Sequence, residues 1–273
     1  MKNYLENEKA LLAFNIWDIN SAKAVLDGAC AQRKNVILQT SSGLYKKLPQ
    51  KQLREFVDSY ARQCGVKAWL HLDHCRELDV IEDAISNRWD SVMIDASAEV
   101  IDENIAITNR VTEMAHKYGV LVESEVGQVQ GCEEDIQVQR EAIASKEDIQ
   151  KFLKNTNVDM IAVAFGNVHG LYQGEPDLHY ELVEYTTQHT GIPFVVHGGS
   201  GLSEDVIKRL LSISGVKKIN ISTEVKMSYL NGIKRASEQG LFKEDGFQAA
   251  RVEQCIQNAI QEFVVQKLQL LDV

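Results

Sequence analysis

Eight short runs rich in apolar and β-branched residues recur along the chain, each followed by a longer stretch with helical periodicity. The runs are Leu11–Ile16, Val36–Gln39, Lys67–Leu72, Ser91–Ile94, Val120–Val126, Met160–Phe165, Pro193–Val196 and Lys218–Ile221. The helical stretches are Ser21–Arg33, Gln50–Cys64, Glu77–Asn87, Asn104–Tyr118, Lys146–Lys154, Leu178–Thr187, Glu204–Ser212, Lys226–Gln239 and Arg251–Leu270. Strands joined by crossovers of this length pair in parallel, and eight of them close most simply as a (β/α)8 TIM barrel. A doubly wound open sheet has no need of eight strands, and no GxGxxG follows the first run. The chain has 273 residues, close to the size at which such barrels form one unit. Gly65, Gly119 and Gly191 punctuate the ends of helical stretches, and no linker or low-complexity segment intervenes. Residues 1–273 therefore read as a single domain.

Composition removes several classes of function. A net charge of -10 leaves no wide basic face for nucleic acid or an anionic membrane. An anionic small molecule must then be held by local donors. The five cysteines form no CxxC pair and read as reduced thiols of a cytoplasmic protein. The N-terminal segment has no long apolar core, and no later stretch has the length and apolarity of a membrane span.

Barrel enzymes gather their chemistry at the C-terminal ends of the strands. The third run leads into Asp73 and His74, the fourth into Asp95, and the fifth carries Glu123 and Glu125. The sixth leads to Asn167 and His169, the seventh to His197, and the eighth contains Asn220. Three imidazoles that converge with an open position form the ligand pattern of a catalytic zinc ion. His71 belongs to its strand and fills a layer or supports the site, while His116, His179 and His189 read as surface or packing residues. After His197, Gly198-Gly199-Ser200-Gly201 leads into a helix start, where backbone N–H groups and the helix dipole favour an anion. Asn220-Ile221-Ser222-Thr223 repeats that arrangement after the eighth run, and these two loops are the recurrent phosphate site of barrels. The polar stretch Gly127–Ser145, with Gly131-Cys132-Glu133-Glu134-Asp135, is expected to lack regular structure and to act as a lid.

The segments HLDHC, SVMIDAS, VESEVGQVQGCEED, AFGNVHGLYQGEPDL, VHGGSGL and INISTE, in this order from about Ala13 to Thr223, resemble the class II, zinc-dependent ketose-bisphosphate aldolases. The resemblance implies reversible cleavage of a ketose 1-phosphate, of tagatose or fructose 1,6-bisphosphate type, to dihydroxyacetone phosphate and an aldehyde. It makes His74, His169 and His197 the zinc ligands, with Asp95 and Glu125 as alternate or outer carboxylates. Asp73 becomes the acid/base at the C4 hydroxyl. Glu133 matches the lid glutamate that moves the C3 proton, with Glu134 the neighbouring alternative. Ser41, Gly170, Gly198, Ser200, Asn220 and Thr223 match the C1-phosphate site. The family further implies a monovalent cation (Na+ or K+) near that phosphate and a homodimer or homotetramer.

Breaking C3–C4 leaves an ene-diolate, which needs either a Lewis-acid metal or a Schiff-base lysine. The sixth run contains no lysine, and Lys217 and Lys218 open the eighth, which places them at the barrel end away from the chemistry. Metal is the expectation, with Asp73 kept at low pKa beside it. Three positions depart from the family pattern. Gln130 replaces the first glycine of the lid motif, Ser222 stands where fructose-bisphosphate members commonly have Asp, and Ala249-Ala250-Arg251 retains only the arginine of the distal-phosphate segment. The C6 group is thus left open between phosphate, a sulfonate as in 6-deoxy-6-sulfofructose 1-phosphate, and an uncharged group, with Arg251 its candidate contact. A non-catalytic sugar-phosphate-binding barrel would first lose Asp73 or a ligand, and all are present. A metal-dependent hydrolase on this fold would show His-x-His on the first strand, where Asn15-Ile16-Trp17 stands.

Overall fold

In the computed structural model, which describes residues 1–7, 10–133, 136–138, 142–172, 174–243 and 248–272, every one of the eight apolar runs forms a strand. The strands in chain order are β1 (Leu11–Asn15), β2 (Val36–Ser41), β3 (Ala68–Cys75), β4 (Ser91–Ile94), β5 (Leu121–Val126), β6 (Gln130–Glu133), β7 (Ile136–Val138), β8 (Met160–Val163), β9 (Val168–His169), β10 (Phe194–Val196) and β11 (Val216–Ile221). Eight of them close in the order β1-β11-β10-β8-β5-β4-β3-β2, and every neighbouring pair is parallel. The expected (β/α)8 barrel is the observed fold.

The helices start and stop where the sequence supplies the chemistry. Asp18 accepts the Ser21 N–H at 2.6 Å, and the Ser21 hydroxyl accepts the Asp18 N–H, so the helix Ile19–Gln32 opens on a reciprocal cap. Ser145 and Ser203 cap the helices Lys146–Asn155 and Glu204–Ser212 in the same manner from one side. Gly65 closes the helix Gln50–Cys64 in the left-handed conformation. No helix among the described residues is long and apolar enough to cross a membrane.

The apolar core has two parts. The larger lies between the strands and their helices. The smaller fills one end of the barrel with Leu11, Ala13, Ile37, Trp69, Leu121, Met160, Ala162 and Val195. The N-terminal helix Lys2–Asn7 covers that end, with Leu5 buried and the Tyr4 ring 5.2 Å from Trp69. Further along the same inward faces come His71, Glu123 and Lys218, all fully buried. Side chains two apart share a face of a strand, so β3 passes from Trp69 to His71 and β5 from Leu121 to Glu123 as each runs toward its C-terminal end.

The segment Gly127–Ser145 corrects the expectation of a loop without regular structure. β6 and β7 form an antiparallel hairpin, and β6 also pairs in parallel with β9, giving a small three-stranded sheet above the barrel. Gln130 pairs with Val168 and Gly131 with His169. The reason lies in Gly131: at φ 120° a Cβ there would sit 2.2 Å from the His169 carbonyl oxygen, so only glycine permits the approach.

Candidate metal centre and active site

β3 breaks its regular stride at its end. Its pairing with β4 shifts register between Leu72 and Cys75, and His74 takes a left-handed φ of 44°. A residue other than glycine enters that region at a cost on the order of 1–3 kcal/mol. In an unbroken strand Asp73 and His74 would face opposite sides. Here both face the barrel interior. Asp73 accepts hydrogen bonds from Gln39 Nε2 at 2.9 Å and Asn220 Nδ2 at 3.2 Å. The His74 ring lies 4.9 Å from that of His169 and 4.6 Å from that of His197, with His169 and His197 5.7 Å apart.

β5 keeps the period of two and sends Glu123 and Glu125 inward, while Ser124 faces the helix Ile101–His116 and meets Thr108. Glu123 Oε1 lies 2.9 Å from His197 Nε2, and Glu125 Oε2 lies 3.1 Å from His197 Nδ1. With the imidazole proton on Nε2, the Nδ1 lone pair faces an anionic oxygen, an arrangement that requires positive charge between them. His74 Nε2, His197 Nδ1 and Glu125 Oε2 are buried and make no hydrogen bond. Ligand atoms of His74, Glu125, His169 and His197 all lie within 4.8 Å of one another. Asp95 stands behind His74, with Oδ2 3.4 Å from Nδ1, and is itself held by Ser97 Oγ at 2.6 Å and Arg76 Nη2 at 3.1 Å.

The charges agree with this geometry. Asp73, Asp95, Glu123 and Glu125 are buried carboxylates, and the cations paired within the group are Lys218 and Arg76. Two negative charges remain, the complement of one divalent cation. The residues present therefore fit a metal ion, with three imidazoles and a carboxylate as donors. Protonated imidazoles meet the same demand. Burial disfavours their charge, yet Asp73 lifts His74 to about 9, and Glu123 with Glu125 lifts His197 to about 10. Burial would raise the Asp73 carboxyl, but His74, His71 and Lys218 outweigh it and hold the group well below the usual carboxylate range. This depression comes from histidines and a lysine.

Other residues singled out from the sequence are placed as follows. Ser41 is buried at the end of β2, in register with Asp73. Gly198 takes φ 67°, where a Cβ would meet the Val168 carbonyl oxygen at 2.1 Å, and its own carbonyl accepts the Tyr172 hydroxyl at 3.0 Å. Gly170 takes φ 101° beside open space. Ser200 Oγ accepts the N–H groups of Ser222 and Glu224 at 3.2 and 3.3 Å, which ties the β10 turn to the start of the helix Thr223–Glu238. Asn220 orients Asp73, and its own Oδ1 makes no hydrogen bond. Arg251 is exposed in the first turn of the helix Ala249–Gln269 and donates to Gln248 at 3.2 Å, with no contact to the histidine cluster among the described residues. The Glu133 backbone ends β6, while its side chain, like Glu134 as a whole, lies outside the described residues.

Two placements differ from the sequence reading. Lys218 is not at the end of the barrel away from the chemistry: it is fully buried in the interior, with Nζ 2.7 Å from Glu123 Oε2. Glu123 is likewise not on the rim but one layer beneath it, under His197. Period-two alternation explains both, since Lys218 shares the inward face of β11 with Asn220, and Glu123 that of β5 with Glu125. Gln39, the last residue of the second apolar run, also belongs to the site. A buried amide that bridges Asn15 Oδ1 at 2.8 Å and Asp73 could have been suspected only from its polarity within an apolar run.

Comparison with known proteins gives this geometry a family. The sequence model of the family described as "Fructose-bisphosphate aldolase class-II" matches residues 1–273. The chain belongs to that family. Among its relatives, it is 36% identical to 6-phospho-5-dehydro-2-deoxy-D-gluconate aldolase of Bacillus subtilis, covering 96% of this chain and 94% of the relative. It is 30% identical to sulfofructosephosphate aldolase of Alkalicoccus urumqiensis, covering 82% and 78%. The crystal structure of the YdjI aldolase from Escherichia coli K12 superposes with a TM-score of 0.81 at 27% identity, covering 98% and 93%. The class II aldolase barrel is thus shared across the length of the chain.

Proposed function

We propose that this aldolase reversibly cleaves a ketose 1-phosphate, of tagatose or fructose 1,6-bisphosphate type, to dihydroxyacetone phosphate and an aldehyde, working as one domain over residues 1–273. The observation that carries the reading is the set of buried donors on His74, His169, His197 and Glu125 beside an ionised Asp73. His74, His169 and His197 would hold a zinc ion, with Glu125 as an alternate ligand and Asp95 fixing the His74 ring. When bound, the ion supplies a Lewis acid for negative charge that builds on the substrate oxygens.

The chain's own residues supply the rest. Asp73, turned by Gln39 and Asn220, takes the proton from the C4 hydroxyl in cleavage and returns it in condensation. Glu133 on the hairpin, or its neighbour Glu134, moves the proton at C3. Ser41, Gly170, Gly198, Ser200, Asn220 and Thr223 gather around the C1 phosphate, where glycine backbone and a helix start favour an anion, with a monovalent cation beside it. The protein acts in the cytoplasm as a homodimer or homotetramer.

A second reading keeps the reaction and changes the group at C6. Of the distal-anion segment only Arg251 is retained, and one relative is named for a sulfofructose phosphate. The experiment combines metal content with kinetics on ketose 1-phosphates that bear phosphate, sulfonate or hydroxyl at C6. About one zinc per chain and cleavage abolished by chelation are expected, together with a preference for a C6 anion. Full metal occupancy in a His169→Ala, His197→Ala double variant would refute the ligand set. Equal kcat/KM across the three substrates would show that no distal anion site exists.

A further inference from the structure

We propose that Lys218 is a positioning residue for the metal centre: its ammonium fixes the Glu123 carboxylate so that His197 presents Nδ1 to the metal. The inference rests on the metal-dependent reading above and extends it one layer into the barrel. Lys218 is fully buried on the inward face of β11, and its ammonium is hydrogen-bonded to Glu123 Oε2 at 2.7 Å. The other oxygen of the same carboxylate lies 2.9 Å from His197 Nε2. With each oxygen engaged, the carboxylate has one orientation. The His197 proton is then kept on Nε2, which leaves Nδ1 as the nitrogen with a free lone pair among the other donors.

Stability does not account for this lysine. Replacing a buried ion pair by apolar side chains of similar volume is often neutral or stabilising. The same barrel interior is apolar at Leu11, Ala13, Ile37 and Val195. A second group of potential metal donors, His71, Asp73 and Glu123, lies directly beneath the first. Its His71 Nε2 is 3.5 Å from Glu123 Oε2 and 3.7 Å from Asp73 Oδ1. The Lys218 ammonium already supplies positive charge there, which leaves the upper group as the place for a divalent ion.

The test measures zinc affinity of metal-free, refilled full-length protein by competition with a chromogenic chelator, with the visible spectrum of the cobalt-substituted protein as a second readout. Lys218→Met should weaken zinc binding about 10–100-fold, the usual effect of losing an outer partner of a metal ligand, and should alter the cobalt bands. Glu123→Gln should do the same, and the double variant should bind no more weakly than Glu123→Gln alone, because Lys218 acts through Glu123. Wild-type affinity and spectrum in a folded Lys218→Met protein would overturn the inference, as would losses that simply add. If Lys218→Met does not fold, Glu123→Gln carries the test, and unchanged zinc affinity in it has the same force. A wild-type protein that binds no divalent ion would instead overturn the metal-dependent reading, and this inference with it.

Discussion

Single residues decide the chemistry here because a few side chains hold conformations or charges that the barrel would not otherwise allow. His74 is the clearest case. Its left-handed backbone and the register shift at the end of β3 place Asp73, the proposed acid/base, and His74, a proposed metal donor, side by side on one inward face. Asp73 is then held from two sides by amide donors and kept ionised by its charged neighbours. Asp73→Ala should therefore lower turnover by about 10²–10⁴-fold, the range for a positioned acid/base, while zinc remains bound. Single-turnover kinetics together with metal analysis check this. Near-normal turnover with full zinc would reduce Asp73 to an orienting role.

Among the elements, the β6–β7 hairpin has the most direct bearing on the proposed function, for it is joined to His169. β6 pairs with β9, and β9 ends at His169. A shift of the hairpin would therefore displace an imidazole of the cluster. Gly131→Ala tests the coupling, since the added carbon would meet the His169 carbonyl at 2.2 Å while the backbone stays at an unfavourable φ. Lower zinc affinity and at least tenfold lower kcat/KM are expected, with the far-UV circular dichroism of the barrel unchanged. Wild-type zinc affinity in that variant would show the pairing to be incidental to the centre.

The whole molecule separates stability from chemistry along the barrel axis. At the end closed by the N-terminal helix, Asp159 accepts the Val122 N–H at 2.9 Å and lies 2.7 Å from His116 Nε2 and 2.9 Å from Lys2 Nζ. Burial tends to raise this carboxyl, but Lys2, the Val122 N–H and His116 together depress it. A carboxyl whose folded pKa lies below its unfolded value stabilises the fold above the unfolded pKa and loses that contribution as pH falls through the folded one. Asp159→Asn should consequently cost about 2 kcal/mol near pH 7, chiefly through the buried Val122 N–H, because Lys2 is exposed and His116 is half-buried. The difference from wild type should shrink as the pH drops below about 4. Chemical denaturation at several pH values measures it, and a difference that does not change with pH would remove the linkage. Aldol chemistry at the other end should be untouched by this substitution at neutral pH.

The alternation of eight apolar runs with helical stretches was enough to determine the barrel, because strand and helix periods are local and a parallel closure follows from crossover length. His74, His169 and His197 were legible for a related reason: a polar residue at the end of an apolar run has a known address in this fold. Gly131 stood out as part of a motif, yet the cause of its presence, a backbone contact with His169, exists only once β6 and β9 meet. The joint inward placement of Asp73 and His74 likewise depends on a register shift against β4 that no local pattern announces. Lys218 and Glu123 show the limit most plainly. Sequence order put the lysine at the start of a strand and therefore far from the chemistry, whereas strand tilt and period-two alternation bring it against a carboxylate from β5, 95 positions away. A charge in a barrel interior is stable only beside its partner, and it is the closure of the barrel that brings the two together.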